Sequence, residues 1–400
     1  MDVAEILKSS ENAIHCVDMH TTGEPTRIVY GGYPALSGTL LEQRAQAKQQ
    51  YDHVRRQLML EPRGHRDMYG AVLRQDTEYT ATGEAHIGVL FLTNEGYSTM
   101  CGHATIALGR FLIDTHDKNV FPRRDDVKHD SAARTVKLVL HAPCGLVEVT
   151  VPTNADGTKS DPTRPVSHIS VPSFATGLNV RTEIPSEYRW PQIGERTHIT
   201  CDFSYGGAFY CLVSGEELGF ANGLSSDIDL AAMDLATRNI KAAVNKDPSL
   251  RYLFTHPDHE DLGFLYSVVV VDPQEGIPLP GTARAEVGLC FFADQQIDRS
   301  PTGSAVAARM ALAYAKGLTE SVTYHSLVSH ANRGRGGFAG RLYEQFQVMD
   351  GGLPTIRVQV EGFASYAGTA SFAVEDSDVL GDDGFLFEQL CKTDPIEDHD

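Results

Sequence analysis

Two stretches hold the side chains best suited to chemistry: MCGHATIALG at 100–109 and DRSPTGSAVAAR at 298–309. Each leads into small and apolar residues whose pattern reads as a buried helix, with Cys101 at the first turn of one and Thr302 at the first turn of the other. First-turn N–H groups have no acceptor inside the helix and sit at the positive end of its dipole, so two such ends facing each other would clamp a carboxylate. At such an end a thiol pKa can fall from about 8.5 towards about 3.5 to 7.5, which would make Cys101 a base or nucleophile at pH 7. Gly102 beside it lets a ligand approach the backbone. The Thr302 hydroxyl is too weak an acid to ionise as a thiol can, but it can hydrogen-bond. Asp298, four residues earlier, could hold a cationic amine. Each residue also has a plain structural reading: an inert buried cysteine, an ordinary first-turn threonine, and an Asx turn in the loop.

These residues need elements to position them. AIHCVDMHTTGEPTRIVYGG reads as strand, turn and strand, and Leu40, Ala47, Tyr51, Val54 and Leu58 fall on one apolar stripe of a following helix. PRGHRDMYGAVL and HIGVLFLTN read as strands, and a buried helix begins near Cys101. Polar, Pro-bearing loops at 122–130 and 153–165 separate strands such as TVKLVL and GLVEVTVP. The second half repeats this order. A helix around Leu230, Met233, Ile240 and Val244 precedes the strands FLYSVVVV and EVGLCFF. A helix then follows with Ser300 as N-cap, Pro301 at its first position and Gly317 as its stop. An offset of 201 residues lays Phe91 on Phe292, Cys101 on Thr302, Gly102 on Gly303, Ala104 on Ala305 and Ala107 on Ala308. A duplicated α/β unit accounts for these matches. The expected division is 12–200 with Cys101, 201–370 with Thr302, and a C-terminal segment 371–400 that returns to the first half.

Composition narrows the function classes. The 400 residues carry a net charge of −19, with 42% apolar and 22% charged residues, which predicts a globular protein of about two domains. So acidic a chain is a poor partner for nucleic acid or an anionic membrane, and no apolar run approaches the roughly 18 residues of a membrane span. MDVAEILKSS lacks the pattern of a secretory signal. Seven scattered cysteines without CxxC spacing fit neither a disulfide framework nor a zinc site, so a reducing cytoplasmic setting and no metal are expected. His20, His65, His86 and His256 lack ligand spacing and read as structural, and RGRGGFAGR at 333–341 reads as a glycine-rich turn between strands.

The two helix-start motifs resemble the active-site motifs of the proline racemase family. Supporting matches are MHTTGEPTRIV at 19–29, EPRGHRDMYGAV at 61–72, FSYGGAFY at 203–210 and GFASYAG at 362–368. The resemblance implies the diaminopimelate-epimerase-like α/β fold: two pseudo-symmetric halves, each a curved sheet around a central helix, with substrate in the cleft between. It implies no cofactor, a small imino-acid substrate and a homodimer. Family racemases place two cysteines on opposite faces of the substrate Cα; here the second is replaced by Thr302. That Cys/Thr pair is similar to the family's trans-3-hydroxy-L-proline dehydratases, lyases that need only one base. The resemblance further implies that Gly102 and His103, with Gly303 and Ser304, hold the carboxylate, and Asp298 the ring amine. Two other function classes stay open: a proline or 4-hydroxyproline racemase or epimerase, and a non-catalytic imino-acid binding or thiol redox protein.

Overall fold

The computed structural model describes residues 2, 3, 5, 9, 10, 12–346, 354–375, 377–381 and 383–390. The first hairpin forms where alternation and turn chemistry demand it. β1 (Ile14–Thr21) and β2 (Glu24–Gly31) pair antiparallel around Thr22 and Gly23, both at positive φ (55° and 91°), the twist that a two-residue hairpin prefers.

The single helix expected over residues 40–58 is two helices, α1 (Leu40–Gln50) and α2 (Asp52–Met59). Tyr51 leaves helical dihedrals between them, and each helix buries a short face of its own: Leu40 and Ala47 on α1, Val54 and Leu58 on α2. A capping box of Thr39 and Glu42 fixes the start of α1. The strand expected over PRGHRDMYGAVL shrinks to β3 (Gly70–Arg74). The preceding residues turn, with Pro62 lacking a ladder donor and His65 Nδ1 accepting the Asp67 N–H at 3.2 Å.

The chain continues through α3 (Glu78–Thr82), β4 (Ile87–Leu92), the short β5 (Tyr97–Ser98), α4 (Gly102–Asp114), β6 (His129–Asp130), β7 (Thr135–Ala142), β8 (Gly145–Pro152) and β9 (Val166–Ile169). Strands β1, β2, β3, β4, β7, β8 and β9 pair in that order. A second run follows: β10 (Ser173–Glu183), β11 (His198–Tyr205), β12 (Phe209–Ser214), α5 (Leu230–Lys246), β13 (Leu265–Asp272), β14 (Arg284–Phe292) and β15 (Gln296–Ile297). After it come α6 (Gly303–Ala315), β16 (Val322–His325), α7 (Leu327–Ala331), β17 (Phe338–Phe346), β18 (Thr355–Gly362) and β19 (Ala364–Phe372). Strands β10 to β14, then β16, β17 and β18, pair in order, and β18 returns to β10.

The run 355–372 therefore borders both rings. β18 pairs with β9, and the chain passes through Phe363 into β19, which pairs with β1 and closes the first ring. Each ring encloses one helix. Gly102–Ile113 of α4 and Gly303–Ala313 of α6 are buried on every face, as helices without charge in their first turns can be. The two helices share the expected offset of 201 residues and are both 13 residues long, and each follows a small antiparallel hairpin, β4–β5 or β14–β15. Of RGRGGFAGR, residues 333–337 form the turn and 338–341 already belong to β17, so the turn lies between α7 and β17 rather than between two strands. Among the described residues no helix is long and apolar enough to cross a membrane.

Candidate active site

The two central helices meet at their first residues. A Cβ on Gly102 would lie 2.4 Å from Gly303 Cα, and one on Gly303 would lie 2.7 Å from Gly102 Cα, so only glycines permit the contact. This approach points both helix starts into one cavity. It is lined by all seven residues singled out from the sequence, Cys101, Gly102, His103, Asp298, Thr302, Gly303 and Ser304, together with Tyr69, Met100, Tyr266 and Phe292. Gly206 of the FSYGG motif serves the same end. A Cβ there would lie 2.2 Å from Ser304 O, so the turn after β11 packs directly on α6, and Tyr210 Oη meets Ser304 Oγ at 2.6 Å.

Cys101 is the N-cap of α4, and its sulfur accepts the Ala104 N–H at 3.3 Å. The expected depressed thiol pKa is not found. Burial pushes the Cys101 thiol well above its ordinary value, and the Asp298 carboxylate adds to the rise. The Ala104 N–H and the Tyr69 hydroxyl only partly oppose it. The helix end favours the thiolate, but in a site this dry the loss of hydration is the larger effect, so the resting thiol is neutral.

Thr302, not Ser300, is the N-cap of α6, and Pro301 precedes the helix. The turns before it consume the local acceptors: Asp298 Oδ1 takes the Ser300 N–H at 2.7 Å and Ser300 Oγ takes the Thr302 N–H at 3.1 Å. Thr302 sits at φ 58°, uncommon for a β-branched residue, and makes no side-chain cap bond. The first N–H groups of α6 thus stay open to the cavity, whereas on α4 the cysteine sulfur takes one.

Asp298 Oδ1 makes the Asx turn read from the sequence, while Oδ2 faces His103 Nδ1 at 4.0 Å. The His103 ring is 2% exposed and packs edge-on against Tyr69, with ring centroids 4.7 Å apart. Burial lowers its pKa, with Asp298 opposing, so the imidazole is neutral at pH 7. The Cys101 sulfur lies 3.2 Å from Nδ1 and 3.5 Å from Nε2. Being nearly equidistant, it rests against the ring rather than in line with either N–H.

Sequence reasoning missed Glu24. It is fully enclosed, its Oε2 accepts the Arg299 N–H at 2.7 Å, and its carboxyl, His103 and Asp298 bring polar atoms within 4.8 Å of one another. Burial and the Asp298 charge push its pKa well above the usual carboxylate range. One oxygen of each carboxyl is already taken by a backbone N–H, and the three side chains together form an acid–base cluster beside the cavity. The available signal was an acidic residue opening a strand inside a motif already noted. His20, His65, His86 and His256 each accept nearby backbone N–H groups on Nδ1, away from this cavity.

Comparison with known proteins agrees with this architecture. Residues 16–386 match the family described as proline racemase. A trans-L-3-hydroxyproline dehydratase of Pongo abelii is 42% identical, covering 93% of this chain and 94% of its own. A trans-3-hydroxy-L-proline dehydratase of Homo sapiens is 41% identical with the same coverage. Among solved structures, a probable proline racemase of Agrobacterium radiobacter with bound carbonate superposes with a TM-score of 0.74 at 22% identity, covering 94% of this chain and 97% of its own. At those identities the structural likeness speaks for the fold. With the family match spanning nearly the whole length and relatives above 40% identical, the chain belongs to the proline racemase family.

Proposed function

We propose that this protein is a cofactor-independent hydro-lyase that converts trans-3-hydroxy-L-proline to Δ1-pyrroline-2-carboxylate. The observation that carries the reading is the pairing of one thiol, Cys101, with a hydroxyl, Thr302, at the two helix ends of a single cavity. The names of the relatives more than 40% identical support it. The open N–H groups at Gly102, His103, Gly303 and Ser304 take the substrate carboxylate, and Asp298 takes the ring ammonium.

Elimination requires removal of the Cα proton and departure of the 3-hydroxyl, with no proton returned to the far face of Cα. In the trans-3-hydroxy-L isomer the hydroxyl and the Cα hydrogen share a face. The fraction of enzyme that has lost the Cys101 thiol proton to solvent is the active form: its thiolate takes the Cα proton, the C3–O bond breaks, and the new thiol protonates the leaving oxygen, so water departs and the thiolate is restored. The enamine then moves a proton from nitrogen to C3 to give the product. Thr302 orients the ring from the other face, where a second cysteine would permit inversion.

A homodimer in a reducing cytoplasm completes the proposal; the six described cysteines are all free, which suits that setting. Sedimentation and cell fractionation test it. The activity is tested by incubating the protein with trans-3-hydroxy-L-proline, L-proline and trans-4-hydroxy-L-proline in deuterated water. Pyrroline from the 3-hydroxy isomer alone is expected. Inversion without dehydration would make it a racemase or epimerase, and thiol oxidation without turnover a binding or redox protein.

A further inference from the structure

Glu24 is the buried acid that this mechanism leaves unused. It opens β2 in the first ring, yet its Oε2 holds the Arg299 N–H at 2.7 Å in the loop that carries Asp298, 275 residues away. Its Oε1 is buried and has no hydrogen-bond partner among the described residues. A carboxylate in that position would leave a charged oxygen unsolvated next to another carboxylate, whereas a protonated carboxyl avoids both costs. The groups facing it are Asp298 and Arg299 from the loop, Asp67 from the turn before β3, and His103 on α4 with Cys101 beside it. The Arg299 guanidinium offers no strong compensation: it donates to Asp67 Oδ2 at 2.9 Å and to Ile297 O at 2.6 Å. Asp298 has the Ser300 N–H on Oδ1, as Glu24 has that of Arg299 on Oε2, but of the two carboxyls Asp298 is the one that borders the cavity. If one proton is shared by the two carboxyls, it belongs on Glu24 and the charge belongs on Asp298.

We propose that Glu24 is a positioning residue: as a neutral carboxyl it ties the Asp298 loop to β2 and leaves the carboxylate charge on Asp298, facing the substrate ammonium. This rests on the reading that Asp298 receives the ring amine. Glu24 does not border the cavity itself, so it acts through Asp298. A glutamine has the size and hydrogen-bonding ability of the neutral acid. Aspartate is too short to reach Arg299, and alanine removes the tie.

The test compares the wild type with Glu24→Gln, Glu24→Asp and Glu24→Ala by titration calorimetry. The ligands are L-proline, which carries the ammonium but no leaving group, and cyclopentanecarboxylate, which has a similar ring and carboxylate without nitrogen. Glu24→Asp and Glu24→Ala are expected to weaken L-proline about tenfold or more, the scale of a hydrogen bond to a charged group, and to change cyclopentanecarboxylate by less than about twofold. Glu24→Gln should recover most of the L-proline affinity. Infrared difference spectra at pH 7 should show a protonated-carboxyl band in the wild type that Glu24→Gln lacks. A glutamine variant as impaired as alanine, a parallel loss of both ligands, or absence of that band would each overturn the proposal. If alanine prevents folding, the Gln/Asp comparison and the infrared band decide. These readouts need no turnover, so a protein that binds L-proline in this manner but dehydrates nothing would refute the lyase reading and leave the role of Glu24 standing.

Discussion

Replacing Gly102 by alanine tests whether the touching helix ends are what hold the site together. The added Cβ would lie 2.4 Å from Gly303 Cα and 2.9 Å from both Gly303 N and C. All three are backbone atoms of a buried helix start, so no side chain can swing aside. To restore ordinary contact near 3.4 Å the two helix ends must separate by about 1 Å. Overpacking of this kind costs about 1–3 kcal/mol, and alanine's better helix propensity offsets about 1 kcal/mol of it. Stability should therefore fall little. A misplacement of about 1 Å in a reacting constellation can cost about a hundredfold in rate, because the thiol on one helix and the carboxylate-binding N–H groups on the other no longer address the same substrate. The expected result is kcat/KM down about a hundredfold, with the melting temperature lowered by only a few degrees. Steady-state dehydration and calorimetry would measure both. Gly96→Ala is the control, because a Cβ there meets nothing within 4 Å and its φ is not positive. A Gly102→Ala enzyme whose kcat/KM stays within about threefold of the wild type would refute the reasoning.

Three further outcomes are expected. Cys101→Ser should lose about two to four orders of magnitude in turnover, and Thr302→Ala distinctly less; equal losses would require Thr302 to take part in proton transfer. Because burial holds the Cys101 thiol above its ordinary pKa, the thiolate fraction and hence kcat/KM should rise with pH through neutrality and beyond, as should alkylation by iodoacetamide. A rate flat from pH 6 upward would count against a neutral resting thiol. His168 is 1% exposed, neither ring nitrogen has a partner among the described residues, and burial lowers its pKa to about 4. The unfolded chain protonates first, so this contribution is intact above about pH 6.5, falls as pH drops towards 4, and amounts to about 2 kcal/mol lost by pH 5. Urea unfolding at pH 7 and 5 should show that share of the acid loss absent in His168→Phe; an identical loss in both proteins would sink the idea.

The helix starts were legible because their signal is local. Cys101 and Gly102, with Thr302 and Gly303, carry the small-residue signature of an open helix end, and the offset of 201 residues survives because both helices keep the same length. Asp298 was legible for the same reason: it lies in the loop that delivers one of those helices. Two local expectations failed for identifiable reasons. Ser300 has the right residue type for an N-cap, but successive side-chain turns at Asp298 and Ser300 delay the helix to Gly303, and a propensity cannot rank competing acceptors. The break at Tyr51 escaped notice because an apolar stripe records which residues are buried, and Leu40, Ala47, Val54 and Leu58 all join one core cluster although the helix is interrupted between them.

The sequence by itself determined the element types, the duplication, the two helix ends and the single thiol, since all of these depend on residues close together in the chain. Only the tertiary structure decided the electrostatics. Glu24 and Asp298 share an environment although 274 positions separate them in the sequence, and the Cys101 thiol is held neutral by burial under strands from both halves of the chain. Hydration lost on burial is a property of everything packed around a group, so no local pattern encodes it. A helix dipole can be anticipated from sequence, whereas the dryness that outweighs it here arises only once both rings have closed.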